Sequence, residues 1–159
     1  MKGENAVGNS RTTVWCLGNP LRGDDGVGVR CGEQLLETPC PHLEIVLCET
    51  VPENFSAPLR RNPPDFLVII DACAMGAAPG TIRLLDPDCL DGLTETTHGL
   101  PLGQILREAL PRERIAVIGI EPKETGFSLD LSPEVEAAAR EVVRCIREGS
   151  WRRFTPNPS

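Results

Sequence analysis

Positive charge is in short supply in this chain: 16 lysines and arginines stand against 23 aspartates and glutamates, a formal net charge of −7. So acidic a molecule is a poor partner for nucleic acid or an anionic membrane surface, both of which select basic patches. Long apolar runs are missing too, and none approaches the roughly 20 residues that a bilayer-spanning helix needs. Met1 to Arg11 carries no apolar stretch of the kind a secretory leader requires, so the cytoplasm is the expected address. No C-x-x-C occurs among Cys16, Cys31, Cys40, Cys48, Cys73, Cys89 and Cys145. Their odd number and wide spacing argue against a disulfide framework or a structural zinc site. Buried free thiols are expected, with Cys73 the one beside a candidate site. H-E-x-x-H and G-x-S-x-G are both absent, which sets aside the common zinc peptidases and the hydrolase nucleophile elbow. Histidine is scarce, with His42 and His98 alone.

What is present reads as an α/β protein. A length of 159 residues favours one domain with a real core. Apolar runs at Val14–Leu17, Leu43–Cys48, Phe66–Ile70, Thr81–Leu85 and Ile115–Ile120 are strand candidates. Val27, Cys31 and Leu35 recur at helical spacing, and the helix must end before Pro39. Pro52 and Pro58 keep any helix over Val51–Arg61 short or broken. Leu102–Leu110 has helical spacing. The best-marked helix starts at Ser132 as N-cap with Pro133 at its first position, and Gly149 suits its end. Strands alternating with helices predict a parallel or mixed sheet covered on both faces. Residues 12–149 are read as a single domain, with 1–11 and 150–159 as flexible tails.

Chemistry concentrates in the loop Gly18-Asn19-Pro20-Leu21-Arg22-Gly23-Asp24-Asp25-Gly26-Val27-Gly28, between the first strand and the first helix. A glycine-rich loop there usually holds phosphate on backbone N–H groups. Asp24 and Asp25 instead occupy the places where a P-loop needs Lys and Ser/Thr, so the loop suits a cation. One aspartate is free to cap the helix, leaving the other in need of a different reason. Asp71 follows five apolar residues at a strand end, where it either caps a turn or serves a site. Strand carboxyl ends are where α/β sheets bind ligands, so Asp25 and Asp71 are expected to share one crevice. His98, in the polar loop Thr96-Thr97-His98-Gly99, is the third candidate, whereas His42 is read as surface filler. Two carboxylates and an imidazole suit nickel, zinc or cobalt.

In these blocks the chain resembles the hydrogenase maturation endopeptidases, which process the large-subunit precursors of nickel–iron hydrogenases. The matching residues are Gly18-Asn19 with Gly23 to Gly28, Ile69-Ile70-Asp71-Ala72, and Thr97-His98-Gly99-Leu100-Pro101-Leu102. Pro79 to Arg83, Gly119-Ile120-Glu121-Pro122 and Gly126 to Leu129 extend the resemblance over most of Val14 to Ile146. Thr96-Thr97-His98 and Gly119-Ile120-Glu121-Pro122 are similar to the branch serving formate-hydrogenlyase hydrogenases. The resemblance implies a three-layer α/β/α sandwich around a small, mostly parallel twisted sheet. It implies an endopeptidase that removes the precursor's C-terminal extension once nickel has been inserted. Asp25, Asp71 and His98 would be nickel ligands, the nickel being carried by the substrate rather than held by the resting enzyme. Asp24 would orient Asp25 or act as general base beside these three. The expected partner is the hydrogenase large-subunit precursor, with no nucleic acid or membrane partner, and the protein is expected to be a monomer.

Two other readings remain at this level. A receiver-like phosphoacceptor module also combines an acidic pair with an aspartate ending its third strand, and Lys123 would supply its lysine. The six-residue loop from Gly18 to Gly23 counts against it, and His98 would have no task there. A non-catalytic metal-binding accessory protein would use the same ligands without cutting anything.

Overall fold

A computed structural model describes residues 10–93 and 101–158. The first strand, β1 (Thr12–Leu17), leads through a 3-10 turn at Gly23–Gly26 into helix α1 (Val27–Glu37). Strand β2 (Leu43–Glu49) is followed by a second 3-10 turn and the short helix α2 (Ser56–Arg61). Then come β3 (Phe66–Ala72), β4 (Ile82–Leu85), the single-turn helix α3 (Leu90–Leu93) and α4 (Leu102–Arg107). Strand β5 (Ile115–Ile120) and the long helix α5 (Pro133–Glu148) complete the set.

The sheet order is β2-β1-β3-β5-β4. Strands β1, β2, β3 and β5 run parallel, and β4 joins the edge antiparallel to β5. Period-two alternation splits the strand residues between two cores. Val14, Cys16, Val68, Ile70, Ile118 and Ile120 pack with α1 and α5. Trp15, Leu17, Leu67, Ile69 and Val117 pack on the other face with Leu59, Leu90, Leu102 and Leu106. Buried on both faces, the central strands must be nearly continuous apolar runs, as their sequences are. The architecture is the expected three-layer α/β/α sandwich around a mostly parallel sheet. Among the described residues, no helix is long and apolar enough to cross a membrane. All seven cysteines are free thiols.

Helix α1 sits directly over the ends of β1 and β3 because Gly28 has no side chain. A Cβ there would lie 2.3 Å from the Leu17 carbonyl oxygen and 2.4 Å from that of Ile70. Neither backbone atom can yield without moving a strand. Gly28→Ala is therefore expected to destabilise the fold by about 3 kcal/mol, the upper range for overpacking. Urea titration of the purified variant checks this, and unchanged stability would mean that α1 is free to lift off the sheet.

Three expectations are corrected. Ser132 stands at the N-cap position of α5, yet its side chain makes no cap hydrogen bond. Its hydroxyl is drawn off to Asp24. The fourth helix stops at Arg107, after which Ala109 and Leu110 both donate to the Leu106 carbonyl in a closing turn. Residues 150–158 are packed rather than a free tail. Trp151 is buried in the α1/α5 core, and the Leu84 N–H donates to Thr155 O while Asn157 N–H donates to Leu84 O. The reason is that β4 is an edge strand with free backbone groups, which this segment covers. At the other end, Arg11 is tied down by its N–H to Asp65 and its guanidinium to the Asn62 and Pro63 carbonyls. Gly149 ends α5 as expected, with φ 74° in the left-handed region that glycine favours.

Candidate active site

Four parallel strands deliver their carboxyl ends to one side of the sheet, and the acidic loop leaves from there. The end of β1 is bent: its register to β2 slips between Cys16 and Leu17, so that Leu17 pairs with Glu49. Glu49 takes the left-handed φ of 52°, and the Gly18 N–H donates to its carbonyl at 2.9 Å. Bulges of this kind re-aim the chain next to functional sites. Gly18 itself has φ 126°, and a Cβ on it would lie 1.9 Å from the Asp25 carbonyl oxygen and 3.6 Å from Asp71 Oδ1. Only glycine fits, and the Asp25 backbone and the Asp71 carboxylate both lie close to it. The charge of Asp25 acts on Asp71, so the two carboxylates lie near each other at the strand ends.

The two carboxylates differ in their surroundings. Asp25 Oδ2 accepts the Asn19 N–H at 3.0 Å, which folds the loop back on itself. Asp71 lies in the last turn of the β3–β5 ladder, opposite Gly119. Burial, and then the charge of Asp25, push its carboxyl up to about 7, against a smaller opposing effect of the Ala72 N–H. Among the described residues neither carboxylate forms an ion pair with a lysine or arginine. Two acids facing each other without a cation form a site that favours a positive charge. His98 lies outside the described residues. His42 lies at the amino end of β2, where its carbonyl accepts the Thr12 N–H, on the opposite side of the sheet.

Asp24 behaves differently from its neighbour. Its side chain is fully buried and its two oxygens take four donors. Ser132 N–H reaches Oδ1 at 2.7 Å, while Lys123 N–H, Glu124 N–H and the Ser132 hydroxyl reach Oδ2 at 2.9, 2.9 and 2.8 Å. Burial pushes this carboxyl up, but the hydrogen bonds from Glu124, Ser132 and Lys123 outweigh it and hold it below the usual range. A carboxylate so occupied is a poor general base. All four bonds run to Lys123, Glu124 and Ser132, so Asp24 fastens its loop to the segment that follows β5. Neither aspartate caps a helix, since Arg22 and Gly26 hold the N-cap positions and no side-chain cap is made.

Two positioning residues lay outside the sequence reading. Ser132 is one, missed because it looked like a helix cap. Glu121 is the other: it follows the apolar run of β5 just as Asp71 follows that of β3. Its Oε1 accepts the N–H groups of Met75 and Ala77, each at 2.8 Å, and so fixes the loop that leaves Asp71. A buried acid after a strand was the available signal. Burial, and then the charges of Asp71 and Glu121, push the Cys73 thiol up, away from the lowered range of activated cysteines. The Lys123 ammonium pairs with Glu134 at 3.0 Å on the surface.

Comparison with known proteins places the whole chain. Residues 29–148 match the model of the HycI family, described as hydrogenase maturation protease. The Hydrogenase 3 maturation protease of Escherichia coli K12 is 32% identical over 132 residues, covering 81% of this chain and 84% of that protein. A crystal structure of the Hydrogenase 3 maturation protease superposes with a TM-score of 0.80 at 29% identity, covering 94% of this chain and 98% of the other. That of the [NiFe] hydrogenase maturation protease HycI from Thermococcus kodakarensis gives 0.74 at 30% identity, covering 92% and 96%. With a family match over residues 29–148 and a relative 32% identical over 81% of its length, this chain is a member of the hydrogenase maturation protease family.

Proposed function

We propose that the chain is the endopeptidase that removes the C-terminal extension from a nickel–iron hydrogenase large-subunit precursor after nickel insertion. The observation that carries the reading is the closeness of two carboxylates, Asp25 acting by its charge on Asp71, with neither in an ion pair with a lysine or arginine among the described residues. Hard and borderline donors so arranged accept a divalent metal. In this reading the metal belongs to the substrate. Asp25, Asp71 and His98 bind the nickel of a loaded precursor, and an empty precursor lacks the cation that would hold it there. Nickel so bound supplies a Lewis acid for the scissile carbonyl or the attacking water. The protein's own part is to orient: Asn19 N–H holds Asp25, the β3–β5 ladder holds Asp71, and Asp24 holds the loop beneath both. Seven free thiols suit a reducing cytoplasm, where the protein would meet its precursor.

The test is direct. Purified protein mixed with nickel-loaded large-subunit precursor from the same cell should shorten it, and nickel-free precursor should stay intact. Cleavage of both forms alike would overturn the metal-dependent recognition, and cleavage of neither would overturn the assignment.

A further inference from the structure

Three large apolar side chains stand out in water on two loops that touch each other. Phe127 is 86% exposed, Leu129 65% and Leu21 51%, and the fourth exposed large hydrophobic among the described residues, Leu36, lies apart at the end of α1. Scattered singly such residues mean little, but a cluster of them marks a contact surface. These three are also rigidly presented. Ser128 N–H donates to Leu21 O at 3.0 Å and Gly23 N–H donates to Ser128 O at 2.9 Å, forming a parallel bridge of Arg22 with Ser128. That register sets Leu21 beside Phe127, and Gly23, with no side chain, beside Leu129. The four donors on Asp24 lock the same two loops together from beneath.

We propose that Leu21, Phe127 and Leu129 dock the stretch of precursor chain that adjoins the bond to be cut; this rests on the reading of the protein as a precursor protease. Continuity with the candidate site supports that occupant. Leu21 and Asp25 stand four residues apart in one loop, which puts the apolar patch next to the candidate site. Beside Phe127 a cleft of about 470 Å³ runs between Gly23, Glu124, Asp130 and Ser132. Clefts of this size accept ligand side chains. Its rim carries the exposed acids Glu124 and Asp130. The segment that fits is therefore extended, with bulky apolar residues and basic neighbours.

Steady-state cleavage of nickel-loaded precursor tests this. The double variant Phe127→Ser/Leu129→Ser is expected to raise KM about tenfold or more with kcat little changed, as loss of binding made equally before and during reaction does. Leu36→Ser should leave both constants unchanged. A photoreactive phenylalanine analogue at position 127, in otherwise wild-type protein, should cross-link to the nickel-loaded precursor beside its cleavage site. An unchanged KM in a double variant of normal melting temperature would overturn the docking surface, and so would cross-linking to a second copy of this chain. Wild-type cleavage alongside those results leaves the protease reading intact, whereas no cleavage by the wild type would sink that reading itself.

Discussion

Asp71→Asn is expected to stop precursor processing while making the protein more stable at neutral and alkaline pH. Loss of cleavage should be at least about a hundredfold, since even partners that merely support a metal ligand are worth ten- to a hundredfold. The gain in stability follows from the site's electrostatics. Burial and the facing charge of Asp25 lift the Asp71 carboxyl from 3.8 to about 7 in the folded protein. In the unfolded chain the group loses its proton near its ordinary value. Between about 4 and about 7 the folded state therefore holds more protons than the unfolded state, and stability falls as pH rises through that window. The fall levels off above the folded value. The interval between 3.8 and about 7 sets a ceiling of about 4 kcal/mol on this contribution.

Asparagine carries no charge to desolvate, so the variant escapes that cost. Urea titrations of both proteins at pH 4 and pH 8 give the measurement. The variant should gain little at pH 4 and a few kcal/mol at pH 8. A gap that is the same at both pH values would show that Asp71 ionises normally in the folded protein. Activity and stability moving in opposite directions is what a functional site under electrostatic strain predicts. A carboxylate kept merely for structure would lose stability on the same change.

Much of this was legible in the sequence, for physical reasons that differ from element to element. The β3 and β5 strands could be read because strands buried on both faces have to be apolar throughout, leaving FLVII and IAVIGI as plain signals. Asp71 was legible because a charge that directly follows such a run must have a use. The α5 helix declared itself by its apolar stripe, Pro133 and Gly149. What the sequence hid was long-range pairing between polar groups. Ser132 has the local look of a cap, and nothing near it in the chain reveals an acceptor 108 residues away. Trp151 and the residues after it looked like a tail because covering an edge strand leaves no periodic mark. The role of Asp24 stayed open for the same reason, since its four donors come from the far side of β5.

That clasp sets the largest stability effect expected of any single residue here. Asp24→Ala would leave three backbone N–H groups and one hydroxyl without their acceptor in a buried place. Removing the charged partner of a buried polar set costs about 3–5 kcal/mol, a large share of the stability of a domain this size. Asp24→Asn keeps the shape but cannot satisfy all donors. With its oxygen facing Lys123, Glu124 and the Ser132 hydroxyl, its amide nitrogen must face the Ser132 N–H, donor against donor. It should therefore cost about 2 kcal/mol, and Ser132→Ala, which removes one donor alone, about 1 kcal/mol. The consequence for function comes through position. Asp24 holds the loop that carries Asp25 and Leu21 against the loop that carries Phe127. Its loss should lower kcat and raise KM together, even per folded molecule, because a misplacement of about 1 Å at a reacting centre costs on the order of a hundredfold. Assays well below the melting temperature of Asp24→Asn, with the folded fraction measured by circular dichroism, separate this from simple unfolding. Full activity per folded molecule would reduce Asp24 to a structural clasp. A selective fall in kcat at an unchanged KM would instead return it to the chemical step.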